Sequence, residues 1–291
     1  MAAPPRRRSS RAAALAAAGT LAAYWAGRLV RLERSARTHA AYWSGPRGQA
    51  GGLLYAALGD SAAQGIGASH PDRGYVGVLA RRLADATRRP VEVVNLSRSG
   101  ARLQDVLDAQ LPALAALGRT PDVVTLAVGG NDIAAYDPAL FAEQVDRLAD
   151  ALPHGAYVAD APYFMHGRWE RDSRHAADLL AAAALRRGLQ PVALHDAQQT
   201  RGWQAMATDF AADWFHPNDR GHRVWADAFW QQLGPRAALL GVQHAEGPAA
   251  VPARYDALAF DGDVHRHVAT VVDGYRLRRA TGAARLGPRP S

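Results

Sequence analysis

From Leu53 to about Leu233 the chain alternates short apolar runs with stretches of helical periodicity, and that alternation leaves few folds open. Leu53–Leu58 reads as a buried strand that stops at Gly59. Val91–Leu96 is a second strand, and Asp122–Val128 is a third, nearly continuous in apolar residues as a central parallel strand is. Ala156–Ala159 and Pro191–Leu194 supply two shorter ones. Between them, Tyr75, Val76, Leu79 and Leu83 mark a helix ending before Pro90. Phe141, Val145, Leu148 and Leu152 mark another, with Pro138 near its first turn. Helices over about Arg171–Arg187 and Asp219–Leu233 complete the series. Strands separated by helices make βαβ units, so the expectation is an α/β protein: a three-layer αβα sandwich around a parallel sheet.

Chemistry-bearing residues cluster just after these strands. Strand one runs into Gly59-Asp60-Ser61, which places a serine at the C-terminal sheet edge where open α/β sheets bind ligands. Taken alone, this tripeptide is a weak signal and reads first as a turn with an Asx or Ser cap. Strand two is followed by Ser97-Arg98-Ser99-Gly100, a small-residue turn able to aim a backbone N–H outward. Strand three ends in Gly129-Gly130-Asn131-Asp132, where two glycines let the backbone turn sharply and present the asparagine. Asp213-Trp214-Phe215-His216 lies just before the last helix. A carboxylate three residues from a histidine on a tight turn can hold one ring nitrogen while the other faces away, the arrangement that activates a serine. Each fragment is ambiguous by itself; four in this order, each after its proper element, are not.

Together these blocks resemble the SGNH hydrolases, also called the GDSL lipase/esterase family. The resemblance covers about residues 53 to 233, with Ala62 standing where the family's signature usually carries leucine. It implies a flavodoxin-like parallel sheet and a carboxylic ester hydrolase acting on lipid or acetylated-carbohydrate esters. It further implies Ser61 as nucleophile, His216 as base, Asp213 as its orienting carboxylate, and an oxyanion hole from Ser61 N–H, Gly100 N–H and the Asn131 amide. Asp60 and Asp132 are read as turn-fixing hydrogen bonders. The competing reading is a non-catalytic binding module on the same fold.

Composition narrows the remaining choices. Hydrophobic residues make up 48% of the 291, enough for a sizeable core, and the absence of cysteine excludes disulfides and thiolate chemistry. A net charge of +7 would suit nucleic acid, but all 34 basic residues of the Lys/Arg type are arginine and are scattered, which argues against a nucleic-acid partner. Asp209, Asp213, His216 and His222 can be drawn as a metal site, but the serine reading already uses two of them, so neither metal nor cofactor is expected. The other histidines are expected mostly on the surface or in loops. Tyr163, Phe164 and Met165 follow strand four and either line a substrate pocket or pack in the core.

Both ends of the chain lie outside this body. Residues 1–52 carry Arg6-Arg7-Arg8 and Arg11, an uncharged run from Ala12 to Gly27, and a Gly/Pro-rich linker over Ser44–Gly52. The expectation is a secretion signal or signal anchor, an envelope or secreted location and membrane association through this segment, against a cytoplasmic protein whose first helix packs on the domain. Residues 53–240 form the hydrolase-type domain, and 241–291 a C-terminal extension with an apolar pattern at Val264, Val268, Val271 and Val272.

Overall fold

The computed structural model describes residue 27, residues 35–165 and residues 167–245. The basic start, the Ala12–Gly27 run apart from Gly27, and the valine pattern after Asp263 lie outside the described residues. Among the described residues no helix is long and apolar enough to cross a membrane.

A helix over residues 35–42 (α1) leads into the two-residue strand β1 (Arg47–Gly48) and then β2 (Leu53–Gly59). There follow α2 (Tyr75–Thr87), β3 (Val91–Asn95), β4 (Val123–Ala127), α5 (Pro138–Ala151), β5 (Tyr157–Ala159), α6 (Gly167–Arg186) and β6 (Gln190–Val192). Between β3 and β4 runs an irregular helix: α3 (Leu103–Asp105), a π-helical stretch (Val106–Gln110) and α4 (Leu111–Ala115). After β6 come α7 (Leu194–Gln199), α8 (Gln204–Thr208) and the long α9 (Asp219–Ala245).

The sheet order is β1-β3-β2-β4-β5-β6, with every pairing parallel except the antiparallel β1–β3 edge. The five parallel strands thus have the flavodoxin-like order, and the topological switch falls between β2 and β4. All β2 residues are buried, and their alternation feeds two cores. Leu53, Tyr55 and Ala57 join Tyr75, Leu79 and Leu83 of α2 and Phe229 and Leu233 of α9 on one face. Ala56 and Leu58 join Phe141, Val145 and Leu148 of α5 and Ala177 and Leu180 of α6 on the other. Full burial of each such leucine or phenylalanine contributes roughly 1.5–3 kcal/mol, which makes the two helical layers the principal anchor of the sheet edge.

Local signals fix several boundaries. Asp137 caps α5 by accepting the N–H groups of Ala139 and Leu140, with Pro138 at the first helical position. The α2 helix ends at Arg88, which has a φ of 55°, just before Pro90. Three features differ from the sequence expectation. The strand expected over 191–194 closes at Val192, because the Asp160 carboxylate accepts the His195 N–H and turns the chain into α7. The last helix runs through Pro235 rather than ending at Leu233, since Ala237 and Leu240 continue its buried face. The stretch read as a linker carries β1, and Trp43 before it belongs to the core.

Candidate active site

Ser61 owes its position to a chain that leaves β2 abruptly. Gly59 has a φ of +140°, and a Cβ there would drive into the Ala127 carbonyl of β4, so glycine is required. The Gln110 side chain brackets that residue, accepting the Gly59 N–H at 2.8 Å and donating to the Gly59 carbonyl at 2.8 Å. Asp60 Oδ1 then accepts the Ala62 N–H at 2.9 Å, tightening the turn around Ser61 as an Asx-type contact does. Burial pushes the Asp60 carboxyl up to about 6 against that hydrogen bond and the nearby His216.

His216 is carried by a turn of its own. Asp213 Oδ1 accepts the N–H groups of Phe215 at 3.2 Å and His216 at 3.1 Å, while Oδ2 meets His216 Nδ1 at 2.5 Å. A carboxylate can only accept, so Nδ1 carries the proton and Nε2 of the neutral ring is an acceptor. That nitrogen lies 2.8 Å from Ser61 Oγ. Burial alone would raise Asp213, but its interaction with His216 and the two backbone N–H groups outweigh it and hold the carboxyl below its ordinary value. Asn218 closes the turn: its Nδ2 donates to the Thr208 and Phe210 carbonyls, and its Oδ1 accepts from Arg220 and Gly221 at the start of α9.

On the other side of Ser61, Gly100 is exposed in a loop after β3, with a φ of +78°. Asn131 follows β4; its Nδ2 donates to the Ala101 carbonyl at 2.9 Å and faces Asp60 Oδ2 at 3.5 Å, the limit of a hydrogen bond. One amide hydrogen is thereby committed to the Gly100 loop, and the other is held only weakly. Asp132 turns the chain through its backbone carbonyl, which accepts the Ala135 N–H. Burial pushes its carboxyl up to about 6, against the Leu103 backbone N–H and Arg102, and its Oδ2 is buried without a hydrogen-bond partner. The structure therefore joins Ser61, His216 and Asp213 directly, and joins Asn131 to the Gly100 loop and to Asp60.

Other residues singled out in the sequence sit apart from this relay. Asp209 is paired with Arg201 and Arg220, and burial drives His222 down to about 4 while its Nε2 donates to the Ile66 carbonyl. Among the described residues no group of three or more His, Asp or Glu is arranged to hold a metal ion. Of the other histidines, His39 and His195 are buried rather than on the surface. The Phe164 ring lies tilted 6.2 Å from that of Phe215, whose ring lies 5.0 Å from that of His216, so the segment after β5 helps form an aromatic ledge beside His216. Gln64, Asn95 and Gln110, which brace the Ser61 turn through backbone atoms, carried no motif by which the sequence would single them out. Asn95 Nδ2 donates to the Ala63 carbonyl, and its Oδ1 accepts from Ser97.

A family model described as the GDSL-like lipase/acylhydrolase family matches residues 57–224. Among solved structures, TesA superposes with a TM-score of 0.53 at 25% identity, covering 62% of this chain and 98% of that one. The lipase/acylhydrolase from Enterococcus faecalis gives 0.53 at 16% identity, covering 63% and 96%. The α/β hydrolase LAE5 from the Lake Arreo metagenome gives 0.50 at 24% identity, covering 64% and 96%. The last two speak to the fold alone. A comparison with curated proteins gave no match.

Proposed function

Because the chain belongs to the GDSL-like lipase/acylhydrolase family and is thus a hydrolase, we propose that it cleaves carboxylic esters with Ser61 as nucleophile. The observation that carries this reading is the unbroken relay from Asp213 through His216 to Ser61 Oγ, at 2.5 and 2.8 Å. In it, Ser61 Oγ attacks the ester carbonyl as His216 Nε2 takes its proton, and His216 then protonates the departing alcohol. Water, activated by the same nitrogen, releases the acid from Ser61. Asp213 holds the tautomer and stabilises the imidazolium, which its lowered pKa suits, since it stays ionised throughout. The negative oxygen formed by attack is met by the N–H groups of Ser61 and Gly100 and the weakly held hydrogen of Asn131.

Lipid esters or acetylated carbohydrates are the substrate classes this reading favours. The rings of Phe164 and Phe215 offer an apolar ledge to whichever arm of the ester lies on the His216 side. The basic start and uncharged run of residues 12–27 support a location in the cell envelope or outside the cell. Recovery of the full-length protein wholly in the soluble cytoplasmic fraction would count against that location. The decisive test of the chemistry is Ser61→Ala assayed on a panel of p-nitrophenyl esters of rising chain length. Hydrolysis should fall on the order of a millionfold in kcat with the melting temperature retained, and substantial turnover by a well-folded variant would assign the nucleophile elsewhere.

A further inference from the structure

Gln64, three residues beyond Ser61, has polar atoms engaged in three directions. Its carbonyl accepts Nδ1 of His39 at 3.1 Å and Nε1 of Trp43 at 3.1 Å. Its side chain donates from Nε2 to the Ser97 carbonyl at 3.0 Å and accepts the Ser99 hydroxyl at Oε1 at 2.7 Å. Its own N–H donates to the Asp60 carbonyl at 3.3 Å. Gln64, His39 and Trp43 are 6%, 2% and 6% exposed, so these bonds lie where water is scarce and a lost partner is costly. Because a carbonyl only accepts, His39 must carry its proton on Nδ1.

The loop that Gln64 grips cannot be positioned by packing. Arg98, Ser99 and Gly100 are exposed, and no atom lies within 4 Å of where a Gly100 Cβ would stand. Its direction therefore depends on what it is bonded to. Asn131 holds Ala101, Asn95 holds Ser97, the Arg98 N–H donates to the Gly59 carbonyl and the Ala101 N–H closes the turn onto the Arg98 carbonyl, while the side-chain hold on Ser99 comes from Gln64. The Gly100 N–H belongs to the Ser99–Gly100 peptide, so the grip on Ser99 bears on where that N–H points.

We propose that Gln64 is a positioning residue that sets the Gly100 N–H toward the oxyanion, and that His39 and Trp43 make the segment before β1 part of the catalytic apparatus. This rests on the reading of Ser61 as nucleophile and Gly100 as oxyanion donor. It also places working residues outside the span matched by the family model, residues 57–224.

The test compares wild type, Gln64→Ala, Gln64→Glu, Ser99→Ala, Trp43→Phe and Ser61→Ala in the full chain. Each is assayed for steady-state hydrolysis of p-nitrophenyl butyrate, for the rate of Ser61 labelling by a fluorophosphonate, and for melting temperature. Displacing a donor should cost less than deleting one, so Gln64→Ala should lower kcat roughly ten- to a hundredfold with KM changed little. Gln64→Glu keeps the acceptor for Ser99 but loses the donor to Ser97, and should fall between it and wild type. Ser99→Ala removes a single bond from an exposed residue and should cost roughly two- to tenfold in kcat at an unchanged melting temperature. Trp43→Phe, which keeps an aromatic ring but loses the indole N–H and part of its buried volume, should lower kcat by a similar factor with a modest fall in melting temperature. Fluorophosphonate labelling should slow in step with kcat, because the phosphonyl oxygen occupies the same hole, a coupling that a purely structural role would not produce. Should Gln64→Ala fail to fold, Ser99→Ala and Trp43→Phe decide. Wild-type kcat in those two, with Ser61→Ala inactive, overturns this inference alone. Wild-type turnover by Ser61→Ala overturns it together with the reading beneath it.

Discussion

Around His216 the chain is held by its own neighbours, whereas around Ser61 it is held by side chains from far away. Asp213 reaches His216 across three residues and fixes both the ring and the backbone of the turn. The Ser61 turn instead leans on Gln110, which is 51 residues from Gly59, and on Asn95, 32 residues from Ala63. The Asp213–His216 turn is thus a local device that a short peptide nearly specifies, and the Ser61 turn is a product of the assembled sheet edge. Damage to the two sides should accordingly look different: chemistry lost at constant stability on the first, stability lost with most of the folded fraction's kcat kept on the second.

The sharpest test of that contrast after removal of Ser61 itself is Asp213→Asn. An amide presents the wrong partner to Nδ1, and kcat should fall about ten-thousandfold while the turn, still offering an Oδ1 acceptor to Phe215 and His216, keeps its melting temperature within a degree or two. A large loss of stability would show that the turn is not self-sufficient.

Asn131→Ala comes next. If its free hydrogen meets the developing oxyanion, kcat drops on the order of a hundred- to a thousandfold, about 2.7–4 kcal/mol, with KM little altered. Unchanged kcat in the folded fraction would reduce Asn131 to a tie between the Ala101 loop and Asp60.

Gln110→Ala probes the opposite behaviour. It orphans the buried Gly59 N–H, at a cost of about 1–3 kcal/mol, which for a body of this size lowers the melting temperature by several degrees. Gly59 still has the Arg98 N–H on its carbonyl, so the folded fraction should retain most of its kcat. Wild-type stability would mean that the long-range brace is ornamental and the contrast drawn above is wrong.

The smallest effect concerns pH. Asp132 has its folded pKa raised from 3.8 to about 6 by burial. A raised carboxyl favours the folded state below the unfolded value and loses that contribution as pH rises through about 6. The melting temperature of the wild type should therefore decline over that window through this group. In Asp132→Asn, which keeps an acceptor for the Leu103 N–H, the decline should be shallower by a few degrees at most. Identical pH profiles for the two proteins would remove Asp132 from the account.

Much of this architecture is legible in the chain itself because its causes are short-ranged. The apolar runs at Leu53, Val91 and Val123 and the helical spacing of Tyr75, Leu79 and Leu83 depend only on burial and periodicity, and they locate the sheet and the edge where Ser61, Gly100 and Asn131 emerge. The Asp213–His216 spacing is equally local. What the tertiary structure alone decided is which buried amide meets which backbone group. Gln64, Gln110, Asn95, His39 and Trp43 look ordinary in sequence, since nothing near them reveals a partner dozens of residues away. The π-helical stretch that brings Gln110 onto Gly59 has no periodic signature, and the two-residue β1 is too short to have one. Hydrophobic pattern is written along the chain and can be read there. A hydrogen bond between distant residues exists only once the sheet has brought its two ends within 3 Å or so.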